Sequence, residues 1–167
     1  RHNVGVGIGV SLPEQGGYKG VGHGGAVYGF STQLYALPEV KLGVAVTSSV
    51  DVTNTITRRV ATYALDCLLA VENGKPLPDY EKTNSVNEKT VALLAGHFVS
   101  DNGKRLKLIN KYGTLYMEND RFQTRIRQLN GRLVTDSQIS YGSPIDYDED
   151  GRSVTMGGTV YNREKYL

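Results

Sequence analysis

The second half of the chain consists of short segments in which apolar and polar residues alternate, separated by turn signals. Asn130-Gly131 joins two of these segments, and Asn-Gly between alternating runs is a strong signal for a tight β-hairpin. A series of such hairpins forms an antiparallel meander, which closes into a small barrel or half-barrel. The predicted strands are 97–100, 105–110, 113–118, 122–129, 132–136, 145–147, 153–156 and 159–163.

The first half combines strand patterns with one long helix pattern. Apolar residues alternate with glycine and serine from Val4 to Leu12, which predicts a single strand. Further strands are predicted at 18–22, 30–37 and 40–48, and the short turns between them favour antiparallel pairing. A helix follows and ends at Asn73-Gly74. The apolar stripe that we expect to pack against the sheet is Ile56, Val60, Ala64, Leu65, Leu68 and Leu69.

These patterns predict a chain of α+β class with two domains. Residues 1–73 are expected to form an antiparallel sheet with its C-terminal helix packed across it. Residues 74–86 contain two prolines and several charged side chains, which predicts a linker. Residues 87–167 are expected to form a small all-β, lipocalin-like barrel, entered through a short helix at 88–95.

Composition and charge exclude several classes of function. The chain has 19 basic and 17 acidic residues, a net charge of +2, which argues against nucleic acid or an anionic membrane as the main partner. The single cysteine, Cys67, excludes an internal disulfide and a cysteine-rich zinc site, and we expect a packing role for it. No apolar run approaches the ~20 residues of a membrane span. Neither a metal nor a cofactor is expected.

One stretch, Gly22–Phe30, has the character of a catalytic segment, because a histidine, His23, stands among glycines. The simpler interpretation is a tight turn that leaves an exposed histidine. The alternative is a rigid strand end where missing side chains allow a substrate backbone to lie alongside, while His23 supplies a hydrogen-bond donor or a proton relay.

The order of features around His23 favours the second interpretation. A glycine-alternating strand precedes His-Gly-Gly, and Tyr-Gly-Phe-Ser-Thr, Leu-Pro-Glu, an apolar strand and a long helix follow it. This order resembles the end of the catalytic domain in the penicillin-recognising serine hydrolases, in the branch of class C β-lactamases and S12 peptidases. The resemblance rests on residues 21–32, 36–39 and 42–46 and covers about residues 1–72. The second half is more loosely similar to the small β-barrel often appended to these bacterial enzymes.

The resemblance implies roles for four residues. The family's third active-site motif is Lys-Thr-Gly or a His-x-Gly replacement, and His23-Gly24-Gly25 matches it. His23 would then orient the substrate or assist proton transfer, Gly24 and Gly25 would bind the substrate backbone, and the Ala26 N–H would be one of two oxyanion-hole donors. The implied substrates are small peptides, esters or β-lactams. A periplasmic or extracytoplasmic location and a homo-oligomer would be compatible with the family.

The chain lacks the other two motifs of that family. No serine is followed three residues later by lysine in a helical pattern, and no Tyr-x-Asn precedes His23. The chain also begins at Arg1 within a strand pattern, so we expect it to be part of a longer protein and to be inactive alone. Two other functions stay open: a non-catalytic binding or assembly module built around the barrel, and a degenerate, purely structural member of the family.

Overall fold

The computed structural model describes residues 5–118 and 122–164. It divides the chain into two compact units, Arg1–Glu81 and Lys82–Leu167. Strands account for 47% of the structure and helices for 19%, so the chain is mostly β and the expected α+β class is wrong. The reason is that an eight-stranded barrel and several short hairpins outweigh one long helix and one short helix in the described residues.

The first unit contains a five-stranded antiparallel sheet and one long helix. Its strand order is β1-β2-β5-β6-β7, and β3 pairs with β4 in a separate hairpin. The elements are β1 (Gly5–Val6), β2 (Ser11–Leu12), β3 (Glu14–Gln15), β4 (Tyr18–Lys19), β5 (Val21–Val27), β6 (Phe30–Leu37), β7 (Leu42–Ser48) and α1 (Asn54–Glu72).

The predicted strand from Val4 to Leu12 is a hairpin. Within the described residues, β1 and β2 pair with each other, and the Gly7 N–H donates a hydrogen bond of 2.8 Å to the Val10 carbonyl. Gly9 has a φ of +74°, a left-handed conformation that glycine adopts without steric cost. The alternating glycines therefore permit a reversal of the chain and not an extended run; Val4 itself lies outside the described residues.

Helix α1 buries part of the predicted stripe, Leu65 and Leu69, together with two residues that were not predicted. Its buried side chains are Thr57, Ala61, Leu65 and Leu69, and the two leucines share a cluster with Tyr35 and Leu37 of β6. In contrast, Ile56 and Val60 are each 43% exposed and Leu68 is 39% exposed. The apolar arc of the helix is wider than its buried face, and the small side chains of Thr57 and Ala61 take buried positions that the apolar pattern gives to Ile56 and Val60.

The second unit is a closed antiparallel barrel of eight strands, which confirms the predicted barrel. Asn87 caps the short helix that precedes it, because its Oδ1 accepts a hydrogen bond of 2.9 Å from the Thr90 N–H. Buried apolar side chains, with Phe98 and Leu115 fully buried, form the core. The elements are α2 (Glu88–Leu94), β8 (Gly96–Val99), β9 (Arg105–Lys111), β10 (Thr114–Glu118), β11 (Gln123–Leu129), β12 (Arg132–Asp136), β13 (Tyr141–Tyr147), β14 (Ser153–Met156) and β15 (Thr159–Arg163).

Arg163 holds the barrel closure to the end of α2. Its guanidinium donates hydrogen bonds to the carbonyls of Gly151 at 2.8 Å, Ala95 at 3.0 Å and Leu93 at 2.6 Å. The guanidinium carbon also lies 4.6 Å from the centre of the Phe98 ring. One side chain thus satisfies carbonyls at the C-terminal end of the helix and packs on the core.

The turn between β13 and β14 is organised by a carboxylate. Asp148 Oδ1 accepts hydrogen bonds from the backbone N–H groups of Ser153 at 3.0 Å and Arg152 at 2.6 Å. These bonds, that of Ser153 first, lower the pKa of the Asp148 carboxyl because they favour its ionised form. The turn therefore depends on a charged side chain.

Candidate functional site

All four predicted site residues lie on β5. His23 pairs with Leu34 of β6, Gly25 with Thr32, and Ala26 with Ser31. Because side chains alternate along a strand, His23 and Gly25 belong to one face of the sheet, whereas Gly24 and Ala26 belong to the other. The motif thus places the imidazole on one face and the expected oxyanion donor at the strand edge.

The edge of β5 beyond Gly22 has no strand partner in the described part of the chain. β2 pairs with β5 at Ser11 and Gly22 alone, and Ser11 Oγ donates a hydrogen bond of 2.9 Å to the Gly22 carbonyl. The Gly22 carbonyl therefore points towards β2. In a β-strand, the N–H and C=O of one residue point to the same side, and those of the next residue point to the opposite side. Gly24 and Ala26, two and four residues after Gly22, therefore direct their backbone groups to the same edge as Gly22. Among the residues that the structure describes, the Ala26 N–H thus has no strand partner.

A cavity of about 560 Å³ lies at the C-terminal end of β5. Its volume is within the usual range for small-molecule sites. Most of its walls are apolar, with two polar side chains from the segment that leads into α1. The lining residues are Ala26, Val27, Tyr28, Asp51, Val52 and Asn54.

Asn54, the first residue of α1, connects the helix to the site. Its Nδ2 donates a hydrogen bond of 2.9 Å to the Gly25 carbonyl, and its side chain lines the cavity. Sequence reasoning missed this residue, because an asparagine at the start of a helix indicates only a cap. Its contact with a residue 29 positions earlier becomes visible only in the folded sheet.

The His23 side chain is exposed on the open face of the sheet. Among the described residues its imidazole has no hydrogen-bond partner, and its cross-strand neighbour Leu34 is exposed as well. Val27 and Phe30 are exposed apolar residues of the same face. An imidazole in this setting can donate a hydrogen bond or relay a proton to a bound molecule.

Gly22 is required by close backbone packing in the sheet, and Gly25 lies close to a side chain of the neighbouring strand. A Cβ built at Gly25 would lie 2.5 Å from Thr32 Oγ1, the side chain directly across on β6. At Gly22 a Cβ would lie 2.9 Å from the Leu34 carbonyl oxygen. The glycines of this strand therefore have a packing cause, in addition to the space for a substrate backbone that the resemblance implies.

The described residues contain no group of three or more His, Cys, Asp or Glu side chains placed to hold a metal ion. No helix among the residues that the structure describes is long and apolar enough to cross a membrane.

Tyr35 lies on β6, on the face of the sheet that packs against α1. Burial raises the pKa of its phenol, and the nearby Arg58 partly offsets this effect. Tyr35 is therefore uncharged at neutral pH and serves as part of the core.

Comparisons with known proteins give low similarity. No family model matches the chain, and no curated protein matches it. Its structural neighbours include an octameric penicillin-binding protein homologue from Pyrococcus abyssi, with a TM-score of 0.36 and 19% identity over 95% of this chain and 36% of the other. They also include SurE in a crystal structure with D-Leu, with a TM-score of 0.38 and 18% identity over 96% of this chain and 39% of the other. The chain therefore spans well under half the length of both structures.

Proposed function

We propose that this chain is the C-terminal part of a serine hydrolase of the class C β-lactamase and S12-peptidase type. Such an enzyme would transfer the acyl group of a small peptide, an ester or a β-lactam. The observation that carries the proposal is the Ala26 N–H beside a cavity of about 560 Å³, on a strand edge that has no partner among the described residues. The His-Gly-Gly motif on the same strand supports it.

In this proposal each residue has a separate task. The Ala26 N–H donates to the carbonyl oxygen of the substrate as that oxygen becomes negatively charged, and a donor of this kind stabilises a transition state by ~3–4 kcal/mol. The edge groups of Gly24 pair with the substrate backbone as an added strand would. His23 donates a hydrogen bond or relays a proton, and Asn54 holds the Gly25 carbonyl in place.

The nucleophile and its lysine must come from a segment outside this sequence, because no Ser-x-x-Lys on a helical pattern is present. The 167 residues alone should therefore not turn over substrate. The alternative, a binding or assembly module built around the barrel, predicts that removing the His23 side chain changes no function.

Substitution of His23 in the longer protein that carries this sequence tests the proposal. His23→Ala should lower kcat/KM for an ester or β-lactam substrate by ~10²–10⁴, with little change in Tm, because the side chain is exposed. His97→Ala is the matched control, since His97 is an exposed histidine on β8 of the barrel. Unchanged kinetics for His23→Ala, or an equal loss for both variants, would refute the assignment.

A further inference from the structure

A second cavity lies in the first unit at the opposite end of α1 from Asn54. Its volume is about 320 Å³, near the lower limit for small-molecule sites. With a rise of 1.5 Å per residue, the step from Asn54 to Ala70 along α1 separates the two cavities by roughly 25 Å. The residues of interest in its walls are Tyr18, Asp66, Leu69, Ala70, Pro76 and Pro78.

Side-chain contacts fix the hairpin wall of this cavity. Gln15 of β3 donates a hydrogen bond of 2.5 Å from Nε2 to Asp66 Oδ1. Gly16 follows with a φ of +59°, and a Cβ at this position would lie 2.7 Å from Leu69 Cδ1. The β3–β4 hairpin therefore approaches the helix closely at Gly16, and the site is partly built before any ligand binds.

The proline wall is fixed as well. Tyr63 donates a hydrogen bond of 3.0 Å to the Pro78 carbonyl, and its ring contacts the Tyr80 ring edge-to-face with 5.1 Å between centres. Arg59 places its guanidinium carbon 5.4 Å from the centre of the Tyr80 ring. The segment that follows α1 is thus held against the helix.

The electrostatics of the cavity favour a cation. Asp66 uses Oδ1 to accept from Gln15, and no other described side chain hydrogen-bonds to Oδ2 or forms an ion pair with it. The cavity also adjoins the C-terminal end of α1, where the helix dipole is negative. The only basic residue in its described lining is Lys75, which is exposed.

We propose that this cavity binds a primary ammonium group on an unbranched apolar stem, the chemistry of a lysine side chain or of a free alkylamine. The ammonium donates to the Asp66 carboxylate near the end of α1. The stem packs between the Tyr18 ring, Leu69 and the two prolines, so that charge and apolar contact are both needed.

Titrations of the 167-residue chain, followed by backbone amide NMR, test this site. The probes are Nα-acetyl-lysine methylamide, its uncharged counterpart Nα-acetyl-norleucine methylamide, and n-pentylamine. We expect saturable shifts at the cavity residues with the lysine probe and at least about tenfold weaker binding of the norleucine probe. Tighter binding of the lysine probe than of pentylamine assigns the site to peptides, and the reverse assigns it to free amines.

Two carboxylate variants distinguish binding in this cavity from nonspecific attraction of the cation to negative charge near the end of α1. Asp66→Asn keeps an oxygen acceptor for Gln15 and should weaken the lysine probe at least about tenfold. Glu72→Gln removes the same charge from the same end of α1, but Glu72 does not line the cavity, and we expect less than a twofold effect. Ala70→Leu, which narrows the cavity without a change of charge, should also weaken binding of the lysine probe. Absence of saturable binding, equal binding of the norleucine probe, or equal losses in Asp66→Asn and Glu72→Gln would overturn the proposal.

Discussion

Truncation of two leucines on α1 gives a direct measure of which helix face is buried. Leu65 is fully buried and Leu68 is 39% exposed, and the change to alanine removes the same atoms from each. Leu65 belongs to the cluster with Tyr35, Leu37 and Leu69, so Leu65→Ala leaves a cavity and should cost ~3–5 kcal/mol of unfolding free energy. Leu68→Ala loses a part of its burial and leaves no closed cavity, so we expect a cost of about 1 kcal/mol.

The assay must report the first unit separately, because the chain has two units. Amide hydrogen exchange in β6 and β7, measured as a function of urea concentration, does this and gives the free energy of opening for each variant. The reasoning predicts a larger loss for Leu65→Ala by about 2 kcal/mol or more. An equal or larger loss for Leu68→Ala would show that the helix is rotated relative to the structure.

Three further predictions concern side chains and backbone groups elsewhere. Arg163→Ala should destabilise the barrel by about 3 kcal/mol or more, because three carbonyls lose their charged donor. Arg105, whose side chain is 82% exposed, is the control, and Arg105→Ala should change the barrel's stability by less than about 0.5 kcal/mol. Amide exchange in the barrel strands as a function of urea concentration compares the two variants. The hydrogen bonds that lower the pKa of the Asp148 carboxyl stabilise the turn at pH values above the unfolded pKa, and this contribution is lost as pH falls below about 4. The protection factors of the turn amides, which correct for the pH dependence of intrinsic exchange, should therefore fall there in the wild type and not in Asp148→Asn. Ala26→Pro removes an edge N–H and should lower Tm less than Gly25→Pro, which breaks the pairing with β6 at a cost of about 2 kcal/mol.

Local patterns predicted the strands well where turn chemistry marks their ends. The predicted bounds 30–37, 132–136, 153–156 and 159–163 coincide with β6, β12, β14 and β15. Each is an alternating run between turns, and this signal depends only on neighbouring residues. The closed barrel follows from the same signal, since every strand pairs with a sequence neighbour except where β15 meets β8.

The sequence predictions that were incorrect or incomplete have a different cause, because each of these features depends on contacts between distant parts of the chain. The buried face of α1 was predicted only in part: Leu65 and Leu69 are buried as expected, whereas Leu68 is exposed. Leu65 and Leu68 look equivalent on a wide apolar arc, and only the position of the sheet distinguishes them. The expected single strand ending at Leu12 is a hairpin because the conformation of Gly9 is set by folding and not by alternation. Asn54 was missed since its partner, the Gly25 carbonyl, lies in another element.

Covalent labelling by a fluorophosphonate, followed by peptide mass spectrometry, tests the proposed hydrolase most directly. The account predicts one modified serine in the longer protein, located outside residues 1–167, and slower labelling when Ala26→Pro removes the edge donor. It also predicts that the 167-residue chain alone is not labelled, because it carries no Ser-x-x-Lys on a helical pattern. An active longer protein with no labelled serine, or labelling of a serine within residues 1–167, would contradict the account.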